Sequence, residues 1–185
     1  MNDKILVVVD VQNDFITGSL GSSAAVAVIG NICAKIERFE GQVVATQDTH
    51  YDNYLDTDEG KKLPIVHCLY NTWGHDIEGS VLAAIKRNYC PAFVKKSTFG
   101  SINLISTTNW ILDRESVEII LIGLVTDICV ITNALVLKTF YPKATITVDA
   151  SCCAGTTPEN HAAALQVMRS CQVNVVNDGE TFDIG

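Results

Sequence analysis

The feature that most constrains this chain is an alternation of short apolar runs with longer amphipathic stretches. The runs are Lys4–Asp10, Gln42–Asp48, Ala92–Lys96, Glu118–Leu124, Thr145–Ala150 and Gln172–Asn177. Ile5-Leu6-Val7-Val8-Val9 is apolar on both faces, so as a strand it must be covered above and below. Helices are expected near Ser22–Phe39, Ile77–Lys86, Ser101–Arg114, Cys129–Tyr141 and Pro158–Cys171. The last is announced by Thr157-Pro158-Glu159, a capping residue followed by proline and an acid. Strands alternating with helices through right-handed crossovers give a three-layer α/β/α sandwich around a central, mostly parallel six-stranded sheet. Gly41, Asn88 and the polar stretch Asp52–Lys62 read as loops, the last being the longest connection and a candidate lid. No repeat, low-complexity tract or linker interrupts the pattern, so a single domain over residues 1–185 is expected.

Composition excludes several functions. A net charge of -8 opposes a nucleic-acid surface, which needs a clustered basic face, and opposes anchoring to an anionic membrane. No apolar run approaches the roughly 20 residues that cross a bilayer. Met1-Asn2-Asp3-Lys4 lacks the character of a signal peptide, which points to the cytoplasm. The seven cysteines are odd in number and contain no CxxC pair, so neither a zinc ribbon nor a disulfide framework is expected. Most should be small buried apolar side chains in a reducing compartment.

In a parallel sheet, ligands bind beyond the carboxyl ends of the strands, so the polar residues that end the runs matter most. Asp10 ends the first run, Asp48 the second and Lys96 the third, and Cys129 follows the fourth after a short turn. An acid directly after five apolar residues is costly unless it is paired or catalytic. Gly123-Leu124-Val125-Thr126-Asp127-Ile128-Cys129-Val130 reads as strand, tight turn and helix start. A cysteine at a helix N-terminus meets free N–H groups and the positive end of the helix dipole, both of which favour thiolate. Asp10, Lys96 and Cys129 together make a proton acceptor, a charge-stabilising partner and a nucleophile.

These motifs resemble the isochorismatase-like cysteine hydrolases, a family that includes nicotinamidases. Val9-Asp10-Val11-Gln12-Asn13-Asp14-Phe15 is similar to the family's D-x-Q-N-D-F motif, Lys96-Ser97-Thr98-Phe99 to its K-x-x-F segment, and Gly123 to Val130 to its G-x-x-T-D-x-C-V signature. Val148-Asp149-Ala150-Ser151 and the helix containing His161 and Leu165 resemble it as well. The resemblance implies a triad of Asp10, Lys96 and Cys129. It further implies a cis peptide between Leu124 and Val125, and an oxyanion hole made by the N–H groups of Val125 and Cys129.

Asp48-Thr49-His50 puts two ligand-type side chains two residues apart after a strand, and His67 follows later. An Asp and two His can hold zinc, manganese or iron with positions left open. The resemblance matches Asp48, His50 and His67 to the metal ligands of nicotinamidases, where the metal binds the substrate's pyridine nitrogen. It implies no organic cofactor. His67-Cys68-Leu69-Tyr70-Asn71-Thr72-Trp73-Gly74 is similar to their H-C-x-x-G-T-x-G segment. Phe15 would form an aromatic wall of the substrate pocket, and Leu63 stands where nicotinamidases commonly place a tryptophan. The chain departs from the pattern at Asn71, at Leu63 and in Tyr51 to Lys62, which contains no further histidine.

The expected activity is cysteine-dependent hydrolysis of a small amide, with nicotinamide the leading substrate, in a homo-oligomer as is common among relatives. Two alternatives stay open: a carbamoyl or ureido amidohydrolase working without metal, and a non-catalytic ligand-binding member of the fold. Vinyl-ether hydrolysis is disfavoured by Cys129, because that chemistry uses no thiol nucleophile.

Overall fold

The computed structural model describes residues 4–108 and 117–179. Its strands are β1 (Lys4–Val9), β2 (Gln42–Asp48), β3 (Ala92–Lys96), β4 (Glu118–Leu124), β5 (Thr145–Ala154) and β6 (Asn174–Val176). The helices are α1 (Asn13–Ile16), α2 (Ser23–Glu37), α3 (Asp58–Lys62), α4 (Gly79–Lys86), α5 (Ile102–Thr108), α6 (Ile131–Phe140) and α7 (Pro158–Ser170). The six strands form one sheet in the order β3-β2-β1-β4-β5-β6, with every pair parallel. The expected helix from Ser101 to Arg114 is present as α5, and its part beyond Thr108 lies outside the described residues.

Strand periodicity divides the core in two. Ile5, Val7 and Val9 pack with Val44, Ile119, Leu121 and Val148 against Leu104, Leu137 and Leu165 of α5, α6 and α7. Leu6 and Val8 point the other way, packing with Val43 and Ile122 against Ile32, Ile36, Val81 and Ile85 of α2 and α4. Ile5 to Val9 of β1 therefore feed both cores at once, and this explains why all five are apolar. Side-chain caps hold the helix starts. Ser22 caps α2 and Glu78 caps α4, while Thr157 caps α7 just ahead of Pro158.

Besides the short α1, which the sequence pattern did not announce, Asp52–Lys62 and the end of β5 differ from the sequence expectation. Asp52–Lys62 is not an open loop: a 3-10 turn over Tyr54–Asp56 runs into α3. The Tyr54 ring is buried there, and Thr57 Oγ1 accepts the Gly60 N–H at 3.0 Å, capping the helix. β5 continues to Ala154, beyond the expected Ala150, because its register against β4 shifts between Leu121 and Gly123. At that shift Asp149 is held by Lys35, Ser151 and Asn177.

The chain runs outward in both directions from β1 and β4, so the point where its course reverses lies between them. Ligand crevices of parallel sheets form at such points. Gly123 belongs to this seam. Its φ is 121°, and a Cβ there would lie 2.1 Å from the Val9 carbonyl oxygen. Gly123→Ala should therefore cost about 2–4 kcal/mol of stability, read as a lowered denaturation midpoint with an unchanged m-value. An unshifted midpoint would contradict the close approach of β1 and β4.

Candidate active site

Asp10 follows β1 with φ of 47°, a left-handed conformation that aspartate tolerates better than most residues. Its side chain is fully buried. The Thr46 hydroxyl donates to Oδ1 at 2.7 Å, and Lys96 Nζ stands 2.7 Å from Oδ2. The same ammonium lies 3.5 Å from Cys129 Sγ and 3.5 Å from Asp48 Oδ1. β2 and β3 make this possible by pairing Asp48 directly with Lys96. One buried cation thus faces two carboxylates and a sulfur.

Burial works against the Lys96 ammonium, but Asp10, Cys129 and Asp48 outweigh it and hold its pKa above the ordinary lysine value. Burial raises the Asp10 carboxyl, with Lys96 opposing. Burial also pushes the Cys129 thiol well up, the Asp10 carboxylate adds to this, and Lys96 opposes. Cys129 is almost fully buried, so burial opposes the thiolate that the start of the helix favours.

Cys129 sits in a π-helical turn, Thr126–Val130, that leads into α6. The Ile128 and Val130 N–H groups both donate to the Val125 carbonyl, at 3.1 and 3.2 Å. The Leu124–Val125 peptide is cis, as the resemblance implied. A recess of ≈ 350 Å³ reaches Lys96, with Thr49, Tyr51, Ser97 and Thr98 among its lining residues.

The second half of the site is a cluster of ligand-type atoms. Asp48 Oδ2 lies 2.9 Å from His50 Nε2 and 3.4 Å from His67 Nε2. Glu59 Oε1 lies 3.7 Å from each of those nitrogens, and the four ligand atoms fall within 4.8 Å of one another. Four ligands at zinc distances stand roughly 3.4 Å apart in a tetrahedron, so this spacing suits a divalent ion. Two further observations favour it. His50 is almost fully buried, with Nε2 turned to the carboxylates of Asp48 and Glu59. His67 Nδ1 is paired with the Ile65 carbonyl at 2.8 Å, which leaves Nε2 to point into the cluster.

Glu59 is absent from the sequence-derived ligand set. Its signal was the acidic pair Asp58-Glu59 in a stretch without histidine, but only the fold of α3 shows that it turns inward. Leu63 ends α3, and its carbonyl accepts the Tyr54 hydroxyl at 2.9 Å. The aromatic ring beside the cluster belongs to Tyr54, 4.6 Å from the His50 ring and 5.0 Å from that of His67. Phe15 meets His67 edge-on at 5.6 Å.

The remaining residues of the first motif brace these groups. Gln12, fully buried, donates to the carbonyls of Asp48 at 2.9 Å and His75 at 2.8 Å, and accepts the Asp48 N–H at 2.7 Å. Asn13 donates to the Trp73 carbonyl at 2.8 Å, and Asp14 accepts the Cys68 N–H at 2.7 Å. His75 and His161 are hydrogen-bonded to the hydroxyls of Thr49 and Thr126.

The isochorismatase domain model matches residues 4–179. The chain belongs to the isochorismatase family. It is 29% identical to the nicotinamidase/pyrazinamidase of Mycobacterium tuberculosis, with 94% of this chain and 98% of that protein covered. Among solved structures it is similar to the nicotinamidase of Bacillus subtilis, at 25% identity and a TM-score of 0.81, covering 95% of this chain and 99% of that one. The pyrazinamidase of Pyrococcus horikoshii, solved in complex with zinc, shares the fold at 22% identity and a TM-score of 0.79, with 95% and 99% covered. In this member of the isochorismatase family, the ends of β1, β2 and β3 and the turn after β4 bring Asp10, Asp48, Lys96 and Cys129 to one edge of the sheet.

Calorimetric titration with Zn(II) should return one ion per chain. His50→Ala should weaken binding by more than the about 10- to 100-fold typical of losing a residue that only supports a ligand. Unchanged affinity in that variant would count against the cluster as a metal site.

Proposed function

We propose that this protein is a cysteine amidohydrolase that converts nicotinamide to nicotinate and ammonia through a thioester on Cys129. The observation that carries the reading is the shared position of Lys96 Nζ, 2.7 Å from Asp10 and 3.5 Å from both Cys129 Sγ and Asp48. A nucleophile, a proton acceptor and a metal-type cluster thereby adjoin through one cation. The likeness to the nicotinamidase/pyrazinamidase of Mycobacterium tuberculosis over nearly the whole chain supports the choice of substrate. The cytoplasm suits seven unpaired cysteines, and among the described residues no helix is long and apolar enough to cross a membrane.

In the first half-reaction Asp10 accepts the Cys129 proton as sulfur attacks the amide carbon. Lys96 offsets the negative charge that gathers around the pair. The N–H groups of Val125 and Cys129 take the developing oxyanion, a role worth several kcal/mol in comparable sites. Asp10 then returns the proton to the departing nitrogen, releasing ammonia and leaving a thioester. In the second half Asp10 deprotonates water, which attacks the thioester carbon. Nicotinate leaves and the thiol is restored.

Asp48, His50 and His67, with Glu59, would hold a divalent ion, which supplies a Lewis-acid anchor for the pyridine nitrogen. Phe15 forms the apolar wall beside His67, and Tyr54 backs both imidazoles.

Ammonia release from a panel of primary amides tests this reading. Cys129→Ala should lower nicotinamide turnover at least about a thousandfold. Equal release by both proteins would remove Cys129 from the mechanism. Chelation should abolish nicotinamide turnover and added Zn(II) or Mn(II) should restore it. Turnover that survives both chelation and His50→Ala would contradict metal-anchored substrate binding.

A further inference from the structure

One buried side chain touches both the turn that carries Cys129 and the segment that leaves Lys96. Asn133, in the first turn of α6, is completely buried. Its Nδ2 donates to the Cys129 carbonyl at 2.8 Å and to the Phe99 carbonyl at 3.1 Å. Its Oδ1 accepts the Ser101 N–H at 3.0 Å. Both amide hydrogens and the amide oxygen are thus engaged, all with backbone groups from two separate chain segments.

The second segment is Lys96-Ser97-Thr98-Phe99-Gly100-Ser101, the exit from β3. It lies against α6 so closely that a Cβ at Gly100 would meet Thr132 Cγ2 at 2.7 Å. Asn133 fixes Phe99 and Ser101 relative to the Cys129 carbonyl. The segment so fixed begins at Lys96, whose Nζ stands 3.5 Å from Cys129 Sγ.

We propose that Asn133 is a positioning residue that sets the separation and alignment of Lys96 and Cys129. This rests on the amidohydrolase reading above for its effect on turnover, though not for its effect on the thiol itself. Asn133 touches neither the sulfur nor the ammonium and acts only through the backbone. A threonine or serine could still bond the Cys129 carbonyl from within the helix, but could not also span to Phe99 and Ser101. Asparagine has the donors, the acceptor and the planarity for all three contacts.

The test compares Asn133→Ala and Asn133→Asp with Thr108→Val. Thr108→Val removes the buried hydroxyl contact to Tyr141, away from the site, and serves as a control for general loss of stability. Asn133→Asp keeps the shape and the acceptor for Ser101 but sets an oxygen against two carbonyls, and it remains informative if the alanine variant fails to fold. Two readouts are taken on each protein: kcat and KM for nicotinamide, and the rate of Cys129 alkylation by iodoacetamide, resolved by peptide mass spectrometry with exposed Cys90 as internal reference. The Asn133 variants should lose about ten- to a hundredfold in kcat with KM within about twofold, as misplacement of reacting groups does. Their Cys129 alkylation should change severalfold while that of Cys90 does not. Thr108→Val should show neither change. Wild-type kcat and wild-type Cys129 alkylation in a folded Asn133 variant would overturn the proposal, as would an equal kcat loss in Thr108→Val. If the wild-type protein hydrolyses no amide, the amidohydrolase reading fails, while the alkylation rates still decide the role of Asn133.

Discussion

The buried ammonium of Lys96 is the contact on which the rest of this site depends. It is 5% exposed and lies within 3.5 Å of Asp10, Asp48 and Cys129. Without it, two carboxylates would face each other in a nearly dry interior. Breaking a buried ion pair by removing one partner typically costs about 3–5 kcal/mol, since the remaining charge is left uncompensated. Lys96 also opposes the burial that raises the Asp10 carboxyl and pushes the Cys129 thiol up. One positive charge thus bears on both groups at once.

Asp48 makes the two halves of the site one object. Oδ1 faces Lys96 and Oδ2 faces His50 and His67, so a single carboxylate joins the reacting groups to the metal-type cluster. Its main chain is gripped in turn by Gln12, whose amide takes both the N–H and the carbonyl of Asp48. Residues of one short segment thus divide the labour: Asp10 meets Lys96, Gln12 fixes the end of β2, and Asn13 and Asp14 hold the loop from Cys68 to Trp73. This explains why the segment after β1 is polar at nearly every position although most of it is buried.

Much of this was legible in the sequence, for physical reasons. A residue that ends a parallel strand sits at the ligand edge, so Asp10, Asp48 and Lys96 followed from position alone, although of their three strands only β1 and β2 lie inside the sheet and β3 is its edge. Cys129 needed its turn, and the family resemblance, to separate it from six other cysteines. What was hidden depended on contacts between distant segments. Glu59 looked like one more acid in a polar stretch until Tyr54 and Thr57 folded that stretch into α3. Leu63 drew attention through its position, while the ring that borders the cluster comes from Tyr54, nine residues earlier. A helix terminus, which favours the Cys129 thiolate, is a local feature, whereas burial beside Asp10, which opposes it, is a property of the assembled fold.

The proposed mechanism requires Lys96 for Cys129 to form a covalent acyl intermediate. Rapid acid quench of the protein with nicotinamide, followed by peptide mass spectrometry, tests it most directly in wild type and Lys96→Met. An acyl group is expected on the Cys129 peptide in wild type within the first turnover, and none in a folded Lys96→Met protein. Ammonia release without acylation of Cys129, or acylation at the wild-type rate in Lys96→Met, would contradict it.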